Sequence, residues 1–243
     1  MHPALYKESY TLEEYHWWFQ GRRKIIFDII NCNIPVPIGA LLDIGCGAGL
    51  NMLLLQQKAK RVVGMEMSEE AFGFAKERNP DIKVIKGRWP DVELKESFDV
   101  VTLFDVLEHI KEDGRALQKL ESSLTHGGFA VITVPAFECL WSEHDELAHH
   151  YRRYRKHGLA ELIEKNTHLK IYKISYFNMS FFFPMLIFRF LKNVLGIRSG
   201  SSDLTVWQPL NSLCAYLFSC ERWLLRFFNL PFGASILCVV KRD

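Results

Sequence analysis

Short apolar runs alternate with segments of helical spacing over the first half of the chain. The runs, which predict strands, lie at 40–44, 61–66, 82–86, 98–104 and 128–134. The segments between them that predict helices lie at 49–58, 69–78 and 112–124. Apolar, β-branched strands that alternate with helices are typical of a parallel, doubly wound α/β sheet. Right-handed crossovers would place a ligand at the carboxyl ends of these strands.

The second half of the chain predicts two more strands with a long insert between them. A helix over 159–166 precedes a sixth strand at 169–176, and a seventh strand covers 235–241. The insert contains two apolar stretches, 181–191 and 207–230. Neither predicts a transmembrane helix, because a span needs about 20 predominantly apolar residues. The insert is either a helical cap over an apolar substrate pocket or a surface that contacts a membrane or a second subunit. The basic residues near its apolar faces are Lys192, Arg198, Arg222 and Arg226.

The N-terminal part predicts an amphipathic helix over 11–31, with Thr11 and Glu14 as a capping box at its start. Its unusual part is the aromatic and basic segment HWWFQGRR at 16–23. This aromatic stripe either packs on the core or covers a ligand pocket. Trp17 and Trp18 are the candidates for the second role.

A glycine-rich turn follows the first predicted strand, in the sequence LDIGCGAG at 42–49. Glycines let a backbone bend sharply and let a ligand approach without Cβ atoms in the way. Asp43 would sit badly beside a pyrophosphate, but it suits S-adenosylmethionine, which carries positive charge and no phosphate. Glu66 ends the second strand roughly twenty residues later, where an acid can bind ribose hydroxyls.

At these residues the chain resembles the class I S-adenosylmethionine-dependent methyltransferases. The resemblance covers 40–135 and is carried by LDIGCGAG, VVGMEMS, FDVVTLFDVLEHI and GGFAVITVPA. It implies a Rossmann-like, mostly parallel seven-stranded sheet whose last strand is antiparallel, with an N-terminal helix and a helical insert before that strand. The implied organisation is an N-terminal helical cap (1–38), a cofactor-binding catalytic domain (39–176 and 231–243) and the insert (177–230).

The family resemblance also assigns the cofactor site, with S-adenosylhomocysteine as the product. The implied cofactor-binding residues are Asp43, Gly45, Cys46, Gly47, Gly49, Glu66, Met67, Trp89, Phe104 and Asp105. Within this set, Met67 packs on the adenine face, and Phe104 and Asp105 lie near the methyl group. The family commonly has an acid where this chain has Arg88, so Trp89, Asp91 or backbone groups would have to bind the adenine amino group.

The segment after the fifth strand carries most of the remaining chemistry, and its pattern WSxHD…HxRRY resembles a bacterial subgroup linked with glycan or lipid modification. One interpretation makes His144 or His150 a general base beside Asp145, with Arg152, Arg153 and Tyr154 binding substrate. A second is a metal site formed by His144, Asp145 and a later histidine. A third is a solvated charged helix. We favour the first and predict no metal.

The net charge, composition and cysteine content limit the classes of function and the compartment that the sequence supports. The net charge of +2 gives no global argument for nucleic acid, and hydrophobic residues make up 49% of the 243 residues, as in a globular protein with a good core. The six cysteines are scattered and indicate buried thiols in a reducing, cytoplasmic compartment rather than a disulfide framework. No signal peptide is predicted, and contact with the membrane surface would be peripheral.

The sequence therefore predicts methyl transfer by direct displacement to a small-molecule, glycan or lipid-like acceptor, with oxygen as the methylated atom. Two other classes stay open. An NAD(P)-binding oxidoreductase is disfavoured by Asp43 and by the absence of the last glycine of GxGxxG. A non-catalytic cofactor-binding scaffold is disfavoured by the intact glycine turn and by Glu66.

Overall fold

The computed structural model describes residues 10–195 and 208–243. Seven strands form one sheet in the order β3-β2-β1-β4-β5-β7-β6. The strands are β1 (Ile38–Ile44), β2 (Ala59–Glu66), β3 (Lys83–Lys86), β4 (Phe98–Phe104), β5 (Leu124–Pro135), β6 (Lys170–Phe177) and β7 (Ser235–Lys241). The first five pair in parallel, and β7 is antiparallel to both β5 and β6. This is the predicted fold class, and all seven predicted strands are confirmed.

The helices are α1 (Trp17–Asn33), α2 (Leu50–Leu55), α3 (Glu69–Arg78), α4 (Asp113–Ser123), α5 (Glu143–Leu147), α6 (Lys156–Asn166), α7 (Phe182–Leu195) and α8 (Gln208–Phe227). Two 3₁₀ turns, Leu107–His109 and Glu138–Leu140, follow the exits of β4 and β5. Arg198 and Trp207 of the predicted insert lie outside the described residues.

The central strands are apolar throughout because helices cover the sheet. Leu41, Leu42 and Val101 are completely buried, and so is the apolar run at the middle of β7. Burial of both faces explains why these strands appear in the sequence as continuous apolar runs instead of alternating patterns. The apolar side of α1, with Ile25 and Ile29, joins the same core.

The predicted capping box at the start of α1 is wrong. A separate helical turn covers residues 10–12, and α1 begins at Trp17, with His16 as an extended N-cap whose Nδ1 accepts a hydrogen bond from the Trp18 N–H (3.3 Å). The Trp17 N–H donates to Asn211 Oδ1 at 2.7 Å. A partner nearly two hundred residues away thus helps to set the helix start, and no local pattern could reveal it.

The second helix of the predicted insert packs along α1 in a parallel direction. Asn211 bonds to the first turn of α1, and Arg226 pairs with Asp28 further along it, with Nε and Oδ2 at 2.7 Å. Between these points the helices approach closely, because a Cβ on Gly21 would lie 2.5 Å from the Phe218 ring. The N-terminal helix and the insert, predicted as separate parts, are therefore in direct contact.

The outer faces of α7 and α8 expose many large apolar side chains. On α7 these are Phe183, Ile187, Phe188, Phe190 and Leu191. On α8 and just after it they are Leu210, Leu213, Tyr216, Leu217, Trp223, Leu224, Phe227 and Phe228. None of the helices in the described part of the chain has the length and apolar content needed to cross a bilayer.

We predict that Phe218→Ala destabilises the fold by about 3–5 kcal/mol, because its ring is fully buried between α1 and the sheet and its loss leaves a cavity. The matched control is Phe227→Ala on the same helix, where the side chain is 80% exposed and the expected cost is within about 0.5 kcal/mol. Urea unfolding followed by circular dichroism measures both. Equal effects of the two substitutions would contradict the α1–α8 packing.

Candidate active site

The glycine turn between β1 and α2 has the backbone that its sequence predicts. Gly45, Gly47 and Gly49 have positive φ angles of 66°, 56° and 84°. A Cβ on Gly45 would lie 2.5 Å from a methyl group of Val106, whereas nothing lies within 4 Å of the corresponding position on Gly47. The turn therefore packs against the β4 exit on one side and is open at Gly47, where a ligand can approach the backbone.

Asp43 is almost completely buried, two residues before the turn. Its Oδ1 accepts a hydrogen bond from Thr102 Oγ1 at 2.6 Å, while Oδ2 has no partner among the described residues. Burial raises the pKa of Asp43 to about 7, although the Thr102 bond opposes the shift. A buried acid with an unsatisfied oxygen favours the approach of a cation.

Glu66 joins the end of β2 to the glycine turn. Its Oε2 accepts from the Gly47 N–H at 3.0 Å, and its Oε1 accepts from the N–H groups of Met67 and Ser68, both at 2.8 Å. The structure thus brings together the two predicted acids of the cofactor site and the turn. Oε1 is saturated by its two donors, whereas Oε2 keeps acceptor capacity for a ligand hydroxyl.

The N-terminal segment is tied to the back of the same turn through Arg78. Its Nη1 donates to the Ala48 carbonyl at 3.0 Å, and its Nη2 lies 3.1 Å from Glu14 Oε1. The guanidinium also stacks over the Tyr10 ring, 4.4 Å from its centroid. The residues before α1 therefore lie beside the glycine turn, as a cover for this site requires.

The residues predicted to bind the adenine are less clearly gathered into a site than those around the glycine turn. Met67 is exposed at the end of β2, whereas Trp89 is buried and donates its indole N–H to the Ala116 carbonyl at 3.3 Å. Arg88 is exposed, and Asp91 lies 3.1 Å from Arg115 in an exposed ion pair. Trp89 is thus a buried residue whose N–H is already bonded, and its predicted role at the adenine stays a prediction.

Asp105 at the exit of β4 forms an ion pair with the buried Arg22 that the sequence did not reveal. Its Oδ2 lies 2.7 Å from Nη2 of Arg22 in α1, and its Oδ1 accepts from Thr133 Oγ1 at 3.0 Å. The Arg22 guanidinium also lies over the rings of Trp18 and Phe104, 5.2 and 5.7 Å from their centroids. The available signal was a charged residue on the apolar side of α1, four residues after Trp18 and four before Ile26.

Asp145 is the centre of a polar cluster after β5. It accepts from Ser142 N (2.9 Å), from Arg153 Nε (2.8 Å) and Nη2 (3.0 Å), and from His150 Nδ1 (2.9 Å). Burial alone would raise the pKa of this carboxyl, but the His150 and Arg153 bonds outweigh burial and hold it well below its usual range. Asp145 is therefore an anion that orients His150 and has no room for a substrate.

Three histidines meet at this edge of the sheet. The His150 ring centroid lies 4.6 Å from that of His109, after β4, and 6.3 Å from that of His144. Burial lowers the pKa of His109 to about 4. Desolvation by the surrounding protein also lowers the pKa of His144, although this residue keeps an exposed side. His109 was not among the predicted site residues.

The residues predicted to bind substrate, Arg152, Arg153 and Tyr154, are bonded to other residues of the protein instead. Arg153 is buried against Asp145, Arg152 donates to the Lys111 carbonyl at 2.7 Å and pairs with Asp113, and the Tyr154 hydroxyl donates to Asp113 at 3.1 Å. These contacts fasten the loop after β5 to the loop after β4. The expectation of a free Arg152–Arg153 rim for anionic groups is corrected by these partners.

The two aromatic candidates of α1 have different surroundings. The Trp17 ring lies 4.4 Å from that of Phe181 and 5.9 Å from that of Phe218, measured between centroids. Trp17 therefore packs against the insert. Trp18 instead lies beside Arg22 at the β4 exit.

Comparison with known proteins places this site in a family. Residues 42–132 match the model of a methyltransferase domain. A Mycolicibacterium smegmatis protein described as an S-adenosylmethionine-dependent methyltransferase is 26% identical over 125 residues, which are 51% of this chain and 48% of that protein. The dTDP-3-amino-3,4,6-trideoxy-α-D-glucopyranose N,N-dimethyltransferase of Streptomyces venezuelae is 29% identical over 44% of this chain and 46% of its own. The chain thus spans about half the length of these curated relatives.

The fold also matches a solved structure over nearly the whole chain. The methyltransferase in complex with the Haloferax volcanii Trm112 methyltransferase activator superposes with a TM-score of 0.65 at 16% identity, covering 99% of this chain and 95% of that one. The matched segment 42–132 contains the glycine turn, Glu66 and Asp105, which the sequence predicted as cofactor-binding residues. The chain therefore contains a class I S-adenosylmethionine-dependent methyltransferase domain, and S-adenosylmethionine is the cofactor of that domain.

Proposed function

We propose that the protein transfers a methyl group to a hydroxyl oxygen of a small glycan-like or lipid-like acceptor. The observation that carries this proposal is the group of histidines beside Asp145, at the same sheet edge as the cofactor residues. Hydroxyl acceptors need a base to take their proton, and neutral imidazoles are suited to that role.

The described residues fit the cofactor on three grounds. The unpartnered Oδ2 of Asp43 suits a cationic ligand, the open side of Gly47 accommodates its close approach, and Glu66 is placed for ribose hydroxyls. When bound, S-adenosylmethionine supplies an activated methyl group. We propose that Gly45, Cys46, Gly49, Met67, Phe104 and Asp105 complete the site.

We propose that His144 is the base. Its lowered pKa keeps it neutral at pH 7, and its exposed side can reach an incoming acceptor. His144 would take the hydroxyl proton as the acceptor oxygen bonds to the methyl group that the bound cofactor would supply, with S-adenosylhomocysteine as the leaving group. Asp145 contributes as a positioning residue through His150 and Arg153. Alignment of acceptor and donor, with water excluded, supplies most of the rate gain.

An amino group is the second candidate acceptor, because the Streptomyces venezuelae relative is named as an amino-sugar dimethyltransferase. A neutral amine attacks through its own lone pair and depends less on a base in the transition state. The histidine group therefore favours oxygen. Trp18, beside Arg22 at the β4 exit, remains our candidate for contact with the acceptor.

We further propose that α7 and α8 hold the enzyme on an anionic membrane surface. Phe183, Ile187 and Phe190 share one exposed side of α7. α7 contains no acidic residue, and the one acid of α8, Glu221, is buried and accepts from Ser180. Exposed apolar faces that carry arginines and no exposed acid are typical of interfacial helices on anionic lipid. The six free thiols support a reducing, cytoplasmic side.

We predict that His144→Ala lowers kcat by about 10²–10⁴ at saturating cofactor, with little change in cofactor affinity, because the hydroxyl proton has no acceptor. Release of S-adenosylhomocysteine with a glycolipid extract as acceptor provides the assay, and mass spectrometry of the product identifies the methylated atom. His157→Ala, an exposed histidine of α6, is the matched control. Near-normal turnover of His144→Ala, or a product methylated on nitrogen, would refute the proposed O-methyl transfer.

We predict that affinity for S-adenosylhomocysteine rises with pH around pH 7. Asp43 must be ionised to pair with the ammonium group of this ligand, and its pKa is about 7. Calorimetry should give several-fold tighter binding at pH 8 than at pH 6. Asp43→Asn should bind weakly with little pH dependence, while the exposed Asp81→Asn should behave like the wild type.

The same residue has an opposite effect on the stability of the free protein. The pKa of Asp43 in the folded protein, about 7, lies above its ordinary value of 3.8. The contribution of Asp43 to the free energy of unfolding is therefore fully present below pH 3.8 and is lost as the pH rises to about 7. Asp43→Asn should therefore show less loss of stability over this range. An identical pH dependence of the wild type and Asp43→Asn, in binding and in unfolding, would show that Asp43 does not titrate here.

We predict that the protein floats with vesicles that contain phosphatidylglycerol and less with vesicles of phosphatidylcholine alone, because both apolar area and positive charge contribute. The triple variant Phe183→Ser, Ile187→Ser, Phe190→Ser should lose this binding. Tyr172→Ser, an exposed aromatic residue of β6, is the control. If the triple variant instead converts a stable dimer into a monomer, a second copy of the chain covers this face and the membrane proposal fails.

A further inference from the structure

Glu108 is an acidic side chain of the site that is buried without a hydrogen-bond partner among the described residues. It lies in the 3₁₀ turn after β4 and is completely buried, and neither carboxyl oxygen has a hydrogen-bond partner among the described residues. Burial raises its pKa well above the ordinary value. A buried carboxyl with both oxygens unsatisfied costs about 1–3 kcal/mol or more, so a native protein seldom keeps one without a ligand.

His109 and His150 each have a ring nitrogen close to the Glu108 carboxyl. His150 uses Nδ1 for its bond to Asp145, and its Nε2 lies 4.0 Å from Glu108 Oε1. That distance is too long for a hydrogen bond. The His109 ring lies beside that of His150, with centroids 4.6 Å apart. One ligating atom from each of Glu108, His109 and His150 lies within 4.8 Å of the other two.

We propose that Glu108, His109 and His150 bind a divalent first-row transition metal ion, with Zn²⁺, Fe²⁺, Co²⁺ or Mn²⁺ as the chemical class. Two imidazoles and one carboxylate form a common ligand set for such ions. Donor atoms about 2.0–2.2 Å from one ion lie at most about 4.3 Å apart, so the observed separations need small side-chain movements. The ion would neutralise the buried carboxylate, which has no hydrogen-bonded lysine or arginine partner among the described residues.

One of the two histidines has the neighbour that a metal-bound imidazole usually has. A ligating imidazole usually donates its second ring N–H to a carboxylate or a carbonyl, which fixes its orientation. His150 has Asp145 in this position, with Nδ1 and Oδ1 at 2.9 Å. Asp145 itself is saturated by Ser142, Arg153 and His150. The ligand set therefore differs from the His144–Asp145 combination that the sequence suggested.

The metal ion also deepens the proposed O-methylation, and this consequence rests on that proposed function. Glu108, the first of the three ligands along the chain, lies three residues after Asp105 at the exit of β4. An acceptor hydroxyl bound to the ion would have a lowered pKa, and His144 would still receive its proton. Metal binding itself does not depend on the identity of the acceptor.

The experiment is a titration of metal-free protein with Co²⁺, followed by its visible absorption, and with Zn²⁺ in competition. We expect one ion per chain, with affinity reduced at least about 100-fold in Glu108→Gln and His109→Gln. Asp145→Asn should weaken binding by about 10–100-fold, because it orients His150 without touching the ion. His157→Gln is the matched control and should bind like the wild type.

Each result decides the proposal separately from the methyltransferase function. Circular dichroism and S-adenosylhomocysteine binding show whether each variant is folded and keeps its cofactor site. If Glu108→Gln does not fold, His109→Gln carries the test. Equal Co²⁺ binding by the wild type and the folded ligand variants, or no stoichiometric binding by the wild type, would overturn the metal site and leave Glu108 as a buried neutral acid.

Discussion

The ion pair between Arg22 and Asp105 connects the parts of the chain that must meet at the site. It joins α1 to the exit of β4, and through Thr133 to β5. Loss of Asp105 would leave the charge of the buried Arg22 uncompensated, which is destabilising, whereas water partly solvates Asp105, whose side chain is 27% exposed. The position of α1 in turn provides the surface on which α8 packs. A single ion pair thus links the N-terminal helix, the sheet edge and the insert.

Five acids gather at this edge, and they differ in how their charge is compensated. Glu66 is held by backbone N–H groups, Asp105 by Arg22, and Asp145 by Arg153 together with His150.

Asp43 and Glu108 are the exceptions, since each keeps a buried oxygen without a partner. The two unsatisfied acids coincide with the two places where we infer ligands of positive charge: the cofactor beside Asp43 and a metal ion beside Glu108. The compensation of charge, rather than the number of acids, thus distinguishes the two carboxylates beside which we infer ligands of positive charge.

The sequence predicted the fold and the cofactor turn because both depend on local patterns. Apolar runs mark buried parallel strands wherever they occur, and the glycines after β1 mark a turn with positive φ. The missed features depend on contacts between distant residues. Asn211 accepts a hydrogen bond from the first turn of α1, and Arg22 pairs with Asp105 at the exit of β4. Asp113 binds Arg152 and Tyr154, which the sequence predicted as substrate-binding residues. The sequence predicted Asp105, Arg152 and Tyr154 as site residues but did not reveal their partners.

The position of β7 between β5 and β6 has a consequence for how the chain reaches its native state. β6 is made before β7 and cannot join the sheet until β7 has been made and inserted. Meanwhile β5 presents an open edge, and the apolar stretch of α7 has no completed sheet beside it. Such pairings between distant segments form slowly and leave edges exposed during synthesis. The order of strands thus makes completion of the sheet depend on β7.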